Sequence, residues 1–276
     1  MLRVFPSLLL LAWLVPVLAL AQATPARRIV SMNLCTDQLL LQLVARERIA
    51  SLSYLAADPA YFSGAESVKG LHLNHAQAEE VMALQSDLIL TSTFSATQAA
   101  SVLQRLQQHV ERLPFATSRR EAELQIAQMG VWLHEEAKAS AMIADMNFRI
   151  DASIAQVAPL LRGKKAVMLG SNGVAFGSGT LQDDFLQSVG LRNIAAEAGL
   201  RGPSRIPLEI LVAAEPEFVI SEPRGDLDRQ QAHPLLLHPA LARLKPVQLM
   251  LSDRWFDCAG TFANAYETLA QQVIAP

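Results

Sequence analysis

A long stretch without proline, from Glu121 to about Val157, most constrains the fold of this chain. Its apolar residues recur at the three-and-four spacing of one helix face: Ile126, Met129, Leu133, Ala137, Ala141, Ala144 and Phe148. A continuous helix of this length would measure roughly 55 Å. Because that outruns an ordinary globular domain, the stretch predicts a helix that joins two separate lobes. Two helices with a break near Gly130 or Asn147 are the alternative, since an interior glycine costs only ~1 kcal/mol.

The N-terminus has the parts of a secretory signal peptide. Arg3 supplies a positive charge, an apolar run extends from Leu8 to Leu20, and small residues at 19–23 offer a cleavage site. The apolar run is shorter than the roughly 20 residues that a membrane span needs. We therefore expect residues 1–23 to be removed and the mature protein to work outside the cytoplasm. An uncleaved anchor helix is the alternative.

Composition argues for a folded protein and against a nucleic-acid binder. The chain is 51% hydrophobic and carries a formal net charge of −3, without basic runs. Its two cysteines, Cys35 and Cys258, stand near opposite ends of the chain. In an oxidising compartment they form either a disulfide that closes a very long loop or two separately buried thiols. The sequence leaves both possibilities open.

Short apolar runs alternate with helical patterns on both sides of the long stretch, which is typical of a mostly parallel sheet flanked by helices. The predicted strands are 28–32, 48–52, 87–90, 111–114, 165–169, 218–221 and 248–251. Asp37 is expected to cap the first helix and Thr180 a helix at 181–189, after a glycine-rich loop at 170–179. The predicted fold is therefore α/β, with two lobes joined by one long spine helix. Its expected parts are an N-terminal lobe at 24–120, the spine at 121–158 and a C-terminal lobe at 159–276.

One segment occurs in both lobes. Residues 79–90 align without a gap with residues 209–220. In each copy a glutamate, Glu79 or Glu209, opens a short helix, and an acidic residue and an apolar strand follow. A purely structural explanation is that the helix dipole favours glutamate in a first turn by ~0.3 to 1 kcal/mol. A functional pair of carboxylates is the other explanation.

In the order and spacing of these features, the chain resembles the type III periplasmic binding proteins of ABC importers, which carry cobalamin and ferric siderophores. The resemblance covers the chain from Arg28 to the final helix. It rests on the spine together with residues 28–31, 70–90, 176–179, 207–209 and 252–256. It implies a periplasmic monomer that is not an enzyme, has no resident cofactor or metal, and delivers a metal chelate to an inner-membrane permease with its ATPase.

The resemblance also implies roles for single residues. Glu79 and Glu209 are expected to dock into arginine pockets on two permease subunits, with Glu80 as a rival for the first position. The chelate is expected between the lobes, where loops at strand ends converge. Aromatic residues would pack on it and arginines would pair with its acidic groups. The candidate ligand-binding residues are Asn33, Leu34, Tyr54, Phe94, Phe176, Arg201, Arg205, Asp253 and Trp255.

Other ligands and one other class of function remain as alternatives. Haem is carried by the same receptor architecture. A receptor for bare zinc or manganese would need several histidines and a carboxylate around one ion, and only His72 and His75 are close in sequence. An extracellular hydrolase is the rival class, but Gly177-Ser178-Gly179 lacks the nucleophile-elbow pattern, and residues 170–180 lack the lysine of a phosphate-binding loop.

Overall fold

The computed structural model describes residues 25–59, 61–170, 173–221, 238–251 and 258–274. The first sheet is fully parallel, with the strand order β3-β2-β1-β4-β5. Its strands are β1 (Ile29–Ser31), β2 (Ile49–Ser53), β3 (Leu73–Asn74), β4 (Leu88–Ser92) and β5 (Val110–Leu113). The central strands are buried on both faces, as their continuous apolar runs require.

The second sheet is mixed and has the order β11-β10-β6-β7-β9, with β8 beside β6. β7 runs antiparallel to both β6 and β9, while the other pairs are parallel. The strands are β6 (Lys165–Leu169), β7 (Val174–Phe176), β8 (Arg192–Asn193), β9 (Pro203–Arg205), β10 (Phe218–Ser221) and β11 (Val247–Met250). The two sheets confirm the predicted α/β fold.

Ten α-helices lie within the described residues. They are α1 (Leu34–Leu43), α2 (Ala78–Ala83), α3 (Thr97–Arg105), α4 (Arg119–Leu133), α5 (Glu136–Leu161), α6 (Leu181–Ser188), α7 (Ile194–Glu197), α8 (Leu208–Ala214), α9 (Pro239–Ala242) and α10 (Ala263–Ile274). Short 3₁₀ turns occupy Arg46–Arg48, Tyr54–Ala57, Ala65–Val68 and Ala259–Thr261. Among the described helices, none is both long and apolar enough to cross a membrane.

The long stretch is two helices, so the prediction of one continuous helix from 121 to 158 was wrong. α4 ends at His134, which adopts a left-handed conformation with φ 55°, and α5 begins two residues later. The helices pack antiparallel: Arg119 at the start of α4 donates to Asn147 and Asp151 of α5 (2.8 and 2.6 Å). α5 alone is the long helix that leads from the first sheet to the second.

The break also changes which face of the second helix is buried. In α5 the buried positions are Ala139, Met146, Ile150, Ser153, Val157 and Leu161. The predicted face at Ala137, Ala141, Ala144 and Phe148 is exposed. The apolar residues before and after the break therefore do not share one continuous buried face.

Local differences from the predictions have simple causes. Asn33, and not Asp37, caps α1, because the helix starts at Leu34 and Asp37 falls inside its first turns. Residues 170–179 contain β7 as well as a loop, whereas the Thr180 cap of α6 is confirmed. The lobe boundaries stay predictions, and the expected signal peptide lies outside the described residues.

The core and a disulfide connect the two halves of the chain. One cluster of buried side chains runs from Ile29 in β1 through Ile126 and Ile150 in the helical hairpin to Leu269 in α10. Cys35 and Cys258 form a disulfide with their Cα atoms 4.9 Å apart. The first of the two possibilities for the cysteines is therefore the correct one.

Candidate functional site

The carboxyl ends of the five parallel strands lie along one edge of the first sheet. The loops after these strands place five residues along that edge, in the spatial order His75, Tyr54, Asn33, Phe94 and Phe115. The disulfide joins this edge to the chain segment that follows β11, because Cys35 comes just after β1. The loops of both sheets are therefore brought together on this side of the molecule, where a ligand cleft is expected.

Asn33 organises the centre of the edge. Its side-chain oxygen accepts hydrogen bonds from the backbone N–H groups of Cys35 and Thr36 (3.0 and 3.4 Å). Its amide nitrogen donates to the Ser95 hydroxyl (2.8 Å) in the loop after β4. Both ends of this side chain are engaged within the protein, so Asn33 holds two loops in place.

Phe94 stands at the tip of the loop that Asn33 holds. The Ser92 hydroxyl accepts from the backbone N–H groups of Phe94 and Ser95 (3.3 and 3.0 Å), which closes a tight turn. The Phe94 side chain is 78% exposed, and its only ring partner in the described structure is Phe115, in an edge-to-face contact of 5.9 Å. Phe94 therefore leaves a large apolar ring exposed at the sheet edge, and its role in ligand binding stays a prediction.

Tyr54 and His75 form a second aromatic surface on the same edge. Their rings stack with centroids 5.2 Å apart and an interplanar angle of 21°. Glu80, in the first turn of α2, accepts the backbone N–H of His75 (2.7 Å), and its other carboxylate oxygen lies 3.5 Å from Nδ1 of the ring. The Nε2 atom of His75 has no hydrogen-bond partner among the described residues.

Asp37 lies beneath this edge. Its carboxylate accepts from the backbone N–H of Ser53 (3.1 Å) and from the Ser53 hydroxyl, just before Tyr54. Burial raises the pKa of Asp37 to about 7, although hydrogen bonds from Ser31 and Ser53 oppose the rise. The ends of β1 and β2 are therefore tied together by an acid that titrates near neutral pH.

The second sheet brings one of the two candidate arginines to its corresponding edge. Arg205 pairs with Val174, next to the carboxyl end of β6, and its side chain is exposed. Arg201 forms an isolated parallel bridge with Ser178, beyond the opposite end of the β7–β9 ladder from Arg205. The structure therefore places Arg205 at the edge and Arg201 away from it.

The remaining predicted ligand residues divide into two groups. Leu34 and Phe176 are partly buried and pack against the central core cluster, so much of each side chain serves the fold. The Phe176 ring also lies over Gly170, where an added Cβ would stand 3.2 Å from the ring. Asp253 and Trp255 lie outside the described residues.

Glu79 and Glu209 occupy equivalent places in the two halves. Each is exposed in the first turn of its helix, α2 or α8, and neither has a hydrogen bond or ion pair with a described residue. Glu80, the rival of Glu79, is engaged by His75. A groove of about 510 Å³ between α2 and α3 lies beside Glu79; its walls include Gln77, Thr97 and Gln98.

Two rival chemistries receive no support from the described residues. Among them, no group of three or more His, Cys, Asp or Glu side chains could hold a metal ion. The Ser178 hydroxyl donates to the carbonyl of Leu200 (3.3 Å), so it is engaged by the backbone and not by a histidine base.

The sequence analysis missed His75 and Phe115 as residues of the edge. β3 has only two residues and is not among the predicted strands, so nothing in the sequence marks His75 as a position after a strand. Phe115 follows Pro114 directly after β5. A rule that includes the residues after every predicted strand would have found Phe115, because its strand was predicted.

The fold is similar to solved structures of solute-binding proteins. The periplasmic heme-binding protein RhuT from Roseiflexus sp. RS-1 has 18% identity and a TM-score of 0.73, covering 90% of this chain and 98% of that chain. The periplasmic vitamin B12 binding protein BtuF of Vibrio cholerae has 15% identity and a TM-score of 0.68, covering 90% and 97%. A possible iron-binding (periplasmic solute-binding) protein from Staphylococcus epidermidis ATCC 12228 has 18% identity and a TM-score of 0.72, covering 91% and 100%.

These TM-scores show a shared fold, and the three proteins are described as solute-binding proteins. No curated protein matches the chain in sequence. Residues 29–249 match the family described as periplasmic binding protein. The matched residues begin with β1 and extend into β11, so they include the helical hairpin and strands of both sheets. The chain therefore belongs to the periplasmic binding protein family.

Proposed function

We propose that this chain is the substrate-binding component of an ABC importer and that it delivers a metal chelate to an inner-membrane permease. The observation that carries the proposal is the pair of exposed, unpartnered glutamates, Glu79 and Glu209, at equivalent helix starts in the two halves. Glu80 is not a second candidate for the docking position of Glu79, because its carboxylate accepts a hydrogen bond from the backbone N–H of His75. In the second half the residue after the glutamate is Ile210, so only Glu79 and Glu209 repeat.

Two fixed carboxylates suit a partner with two basic pockets. A carboxylate and a guanidinium form paired, charge-assisted hydrogen bonds, and the spacing of two such pairs sets the register of the complex. The groove between α2 and α3 leaves space beside Glu79 for a basic loop of the permease, and its walls carry amide and hydroxyl groups. The charge and shape of this surface therefore match an arginine-bearing partner.

The ligand side of the proposal rests on the aromatic edge of the first sheet. Tyr54, Phe94 and Phe115 are 49%, 78% and 51% exposed, although large aromatic side chains are mostly buried in folded proteins. Arg205 adds an exposed cation at the edge of the second sheet. A flat apolar surface is a feature of both haem and cobalamin, and haem also carries carboxylates at its rim, whereas a ferric siderophore would use the arginine more than the rings.

The same proposal includes the compartment in which the protein works. Solved relatives include heme-binding and vitamin B12-binding proteins described as periplasmic, and an ABC transporter substrate-binding protein from Listeria monocytogenes EGD-e. We infer that residues 1–23 direct secretion and are then cleaved. The mature protein then works in the periplasm as a monomer. It binds the free ligand there and delivers it to the permease with its ATPase.

The proposal is tested by removing both docking charges. The double variant Glu79→Ala with Glu209→Ala should bind the chelate with unchanged affinity but lose uptake, since neither carboxylate lies at the ligand edge. Affinity is measured by calorimetry, and uptake by growth on the chelate as sole source of the metal or cofactor in a strain lacking the wild-type chain.

A matched control removes two exposed glutamates elsewhere. Glu66→Ala with Glu136→Ala changes the net charge equally, and among the described residues the only ion pair lost is the exposed one between Glu66 and Lys69. This control should transport normally. Normal transport by the Glu79/Glu209 double variant would show that both carboxylates serve only as helix-start residues.

A further inference from the structure

We propose that Arg28 and Lys165 are positioning residues for docking, because each holds the far end of a helix that carries a docking glutamate in its first turn. This inference rests on the proposed function, docking through Glu79 and Glu209, and adds the residues that set where the two carboxylates stand. Its basis is one arrangement of hydrogen bonds that occurs in both halves of the chain.

In the first half, Arg28 ties the end of α2 to the start of β1. Its guanidinium donates from Nη2 to the carbonyl of Leu84 (2.8 Å) and from Nε to the carbonyl of Gln85 (3.3 Å), the two residues directly after the helix. Asp87, just before β4, accepts from the backbone N–H groups of Arg27 and Arg28 (2.7 and 3.0 Å). The backbone N–H of Asp87 donates to the carbonyl of Arg28 (3.0 Å). Arg28 and Asp87 together form the first clamp.

In the second half, Lys165 ties the end of α8 to the start of β6. Its Nζ donates to the carbonyl of Ala214 (2.9 Å), the last residue of the helix. Glu217, just before β10, accepts from the backbone N–H of Lys165 (3.2 Å) and donates its own N–H to the carbonyl of Lys165 (2.9 Å). Lys165 and Glu217 together form the second clamp.

The two clamps have equivalent parts in equivalent places. In the alignment of residues 79–90 with 209–220, Asp87 corresponds to Glu217. The chain leaves each helix through a left-handed residue that is not glycine, Gln85 with φ 47° or Glu215 with φ 50°, and these two residues also correspond. The repeat found in the sequence therefore includes the attachment of each helix end as well as the glutamate in its first turn.

Short helices need such an attachment. α2 has six residues and α8 has seven, and helices of this length are not stable alone in water. The only buried side chains are Ala78 and Val81 in α2 and Leu211 in α8. A cation at the last carbonyls also favours the helix dipole. The clamp therefore holds each helix at the end opposite its glutamate.

Loss of a clamp should change docking and leave the ligand edge intact. Without the cation, the end of the helix is free to shift about its few buried side chains, so its glutamate no longer has one fixed position. Paired bonds between carboxylates and guanidinium groups depend on that position. Both clamps lie at the amino ends of β1 and β6, whereas the ligand edge lies at the carboxyl ends of the strands.

The test measures docking with spheroplasts of a strain that lacks the wild-type chain. Purified protein is loaded with whichever of haem, cobalamin, a ferric hydroxamate or a ferric catecholate it binds, and the protein concentration that gives half-maximal uptake is determined. We expect Arg28→Ala and Lys165→Ala each to raise this concentration by about threefold to tenfold. The affinity for the chelate, measured by calorimetry, should not change.

Two further variants separate the clamp from the charge. Arg27→Ala removes the same charge one residue away, and among the described residues Arg27 contributes only its backbone N–H, to Asp87. This control should dock normally. Arg28→Lys should also dock like the wild type, because Lys165 holds the second helix with a single ammonium group.

Double variants separate positioning from a general loss of stability. Arg28→Ala should add less than about twofold to Glu79→Ala, since both act on the same docking contact, but should keep its full effect beside Glu209→Ala. Lys165→Ala should show the reverse pattern. A merely structural role would give the same factor in both glutamate backgrounds.

The outcomes distinguish this inference from the proposed function. Equal docking by Arg28→Ala and Arg27→Ala, or equal factors in both glutamate backgrounds, would overturn the positioning role. If the variant without both docking glutamates loses uptake while the clamp variants dock normally, the inference fails and the proposed function stands. If that double variant transports normally, or the wild-type protein binds none of the four chelates, the proposed function fails.

Discussion

A single buried acid connects the ligand edge to solution pH. Asp37 is fully buried, and its hydrogen bonds to Ser53 join the first helix to the end of β2. Burial penalises its charged form, so the pKa is raised to about 7 in the folded state, whereas the unfolded chain releases this proton near its ordinary value of 3.8. Between these two values the folded protein holds a proton that the unfolded chain has lost.

This difference predicts the sign of a pH effect on stability. The contribution of Asp37 is fully present below about pH 4 and is lost as the pH rises to about 7, with a slope of at most ~1.4 kcal/mol per pH unit. Asp37→Asn removes the ionisation and retains an acceptor for Ser53. Urea unfolding between about pH 4 and pH 8 should therefore show wild-type stability falling relative to Asp37→Asn.

A matched control uses a carboxylate in a different setting. Glu136 is exposed at the start of α5, so the pH profile of Glu136→Gln should parallel that of the wild type. A constant offset between Asp37→Asn and wild type across the range would mean that Asp37 ionises normally in the fold.

Among the single residues of the candidate site, some could be predicted from the sequence and others could not. Tyr54 and Phe94 were found because each follows a strand with a clear apolar run. His75 was missed because β3, the strand that it follows, has only two residues and gives no apolar run in the sequence. Asp37 looked like a helix cap because acidic residues favour first turns; the competing cap, Asn33, is the residue that the helix start selects.

At the scale of elements, the helical hairpin is the largest difference from the sequence-based prediction. The sequence allowed Gly130 either as a mild cost within one long helix or as the neighbourhood of a break, and the observed break at His134 is close to it. In the structure an added Cβ at Gly130 would stand 2.5 Å from the Cβ of Ala139, so the glycine is where α4 and α5 approach each other. Apolar spacing within each helix was detectable, whereas the left-handed turn at His134 had no glycine or proline to mark it.

The substitution Gly130→Ala distinguishes one continuous helix from the helical hairpin, because it should change the free energy of unfolding in opposite directions in the two cases. In one continuous helix, alanine would stabilise the protein by ~1 kcal/mol through helix propensity. In the hairpin the added methyl overpacks the contact with Ala139, and we expect a net loss of about 1 to 2 kcal/mol in the free energy of unfolding. Urea denaturation measures this difference.

A second substitution provides the control. Ala139→Gly in the Gly130→Ala background moves the methyl group from α5 to α4 and should recover part of the loss, whereas two unrelated sites would give additive losses. A stabilising effect of Gly130→Ala alone would contradict the observed packing.

For the whole molecule, the main constraint is how the two halves are held together. The disulfide closes a loop across a sequence separation of 223 residues, for which the chain-entropy account gives a stabilisation of about 5 kcal/mol. Salt bridges add specific ties, such as Arg149 of α5 to Glu267 of α10 (2.6 Å). The alternation of strands and helices predicted two sheets correctly, but which cysteines and charges meet depends on contacts between residues far apart in sequence.

The central claim is that this two-lobed protein binds a metal chelate where the loops of its two sheets meet. Calorimetric titration of the purified protein with haem, cobalamin, a ferric hydroxamate and a ferric catecholate tests it most directly. The account predicts saturable binding of one chelate class with one site per chain. Absence of saturable binding to all four would contradict the account.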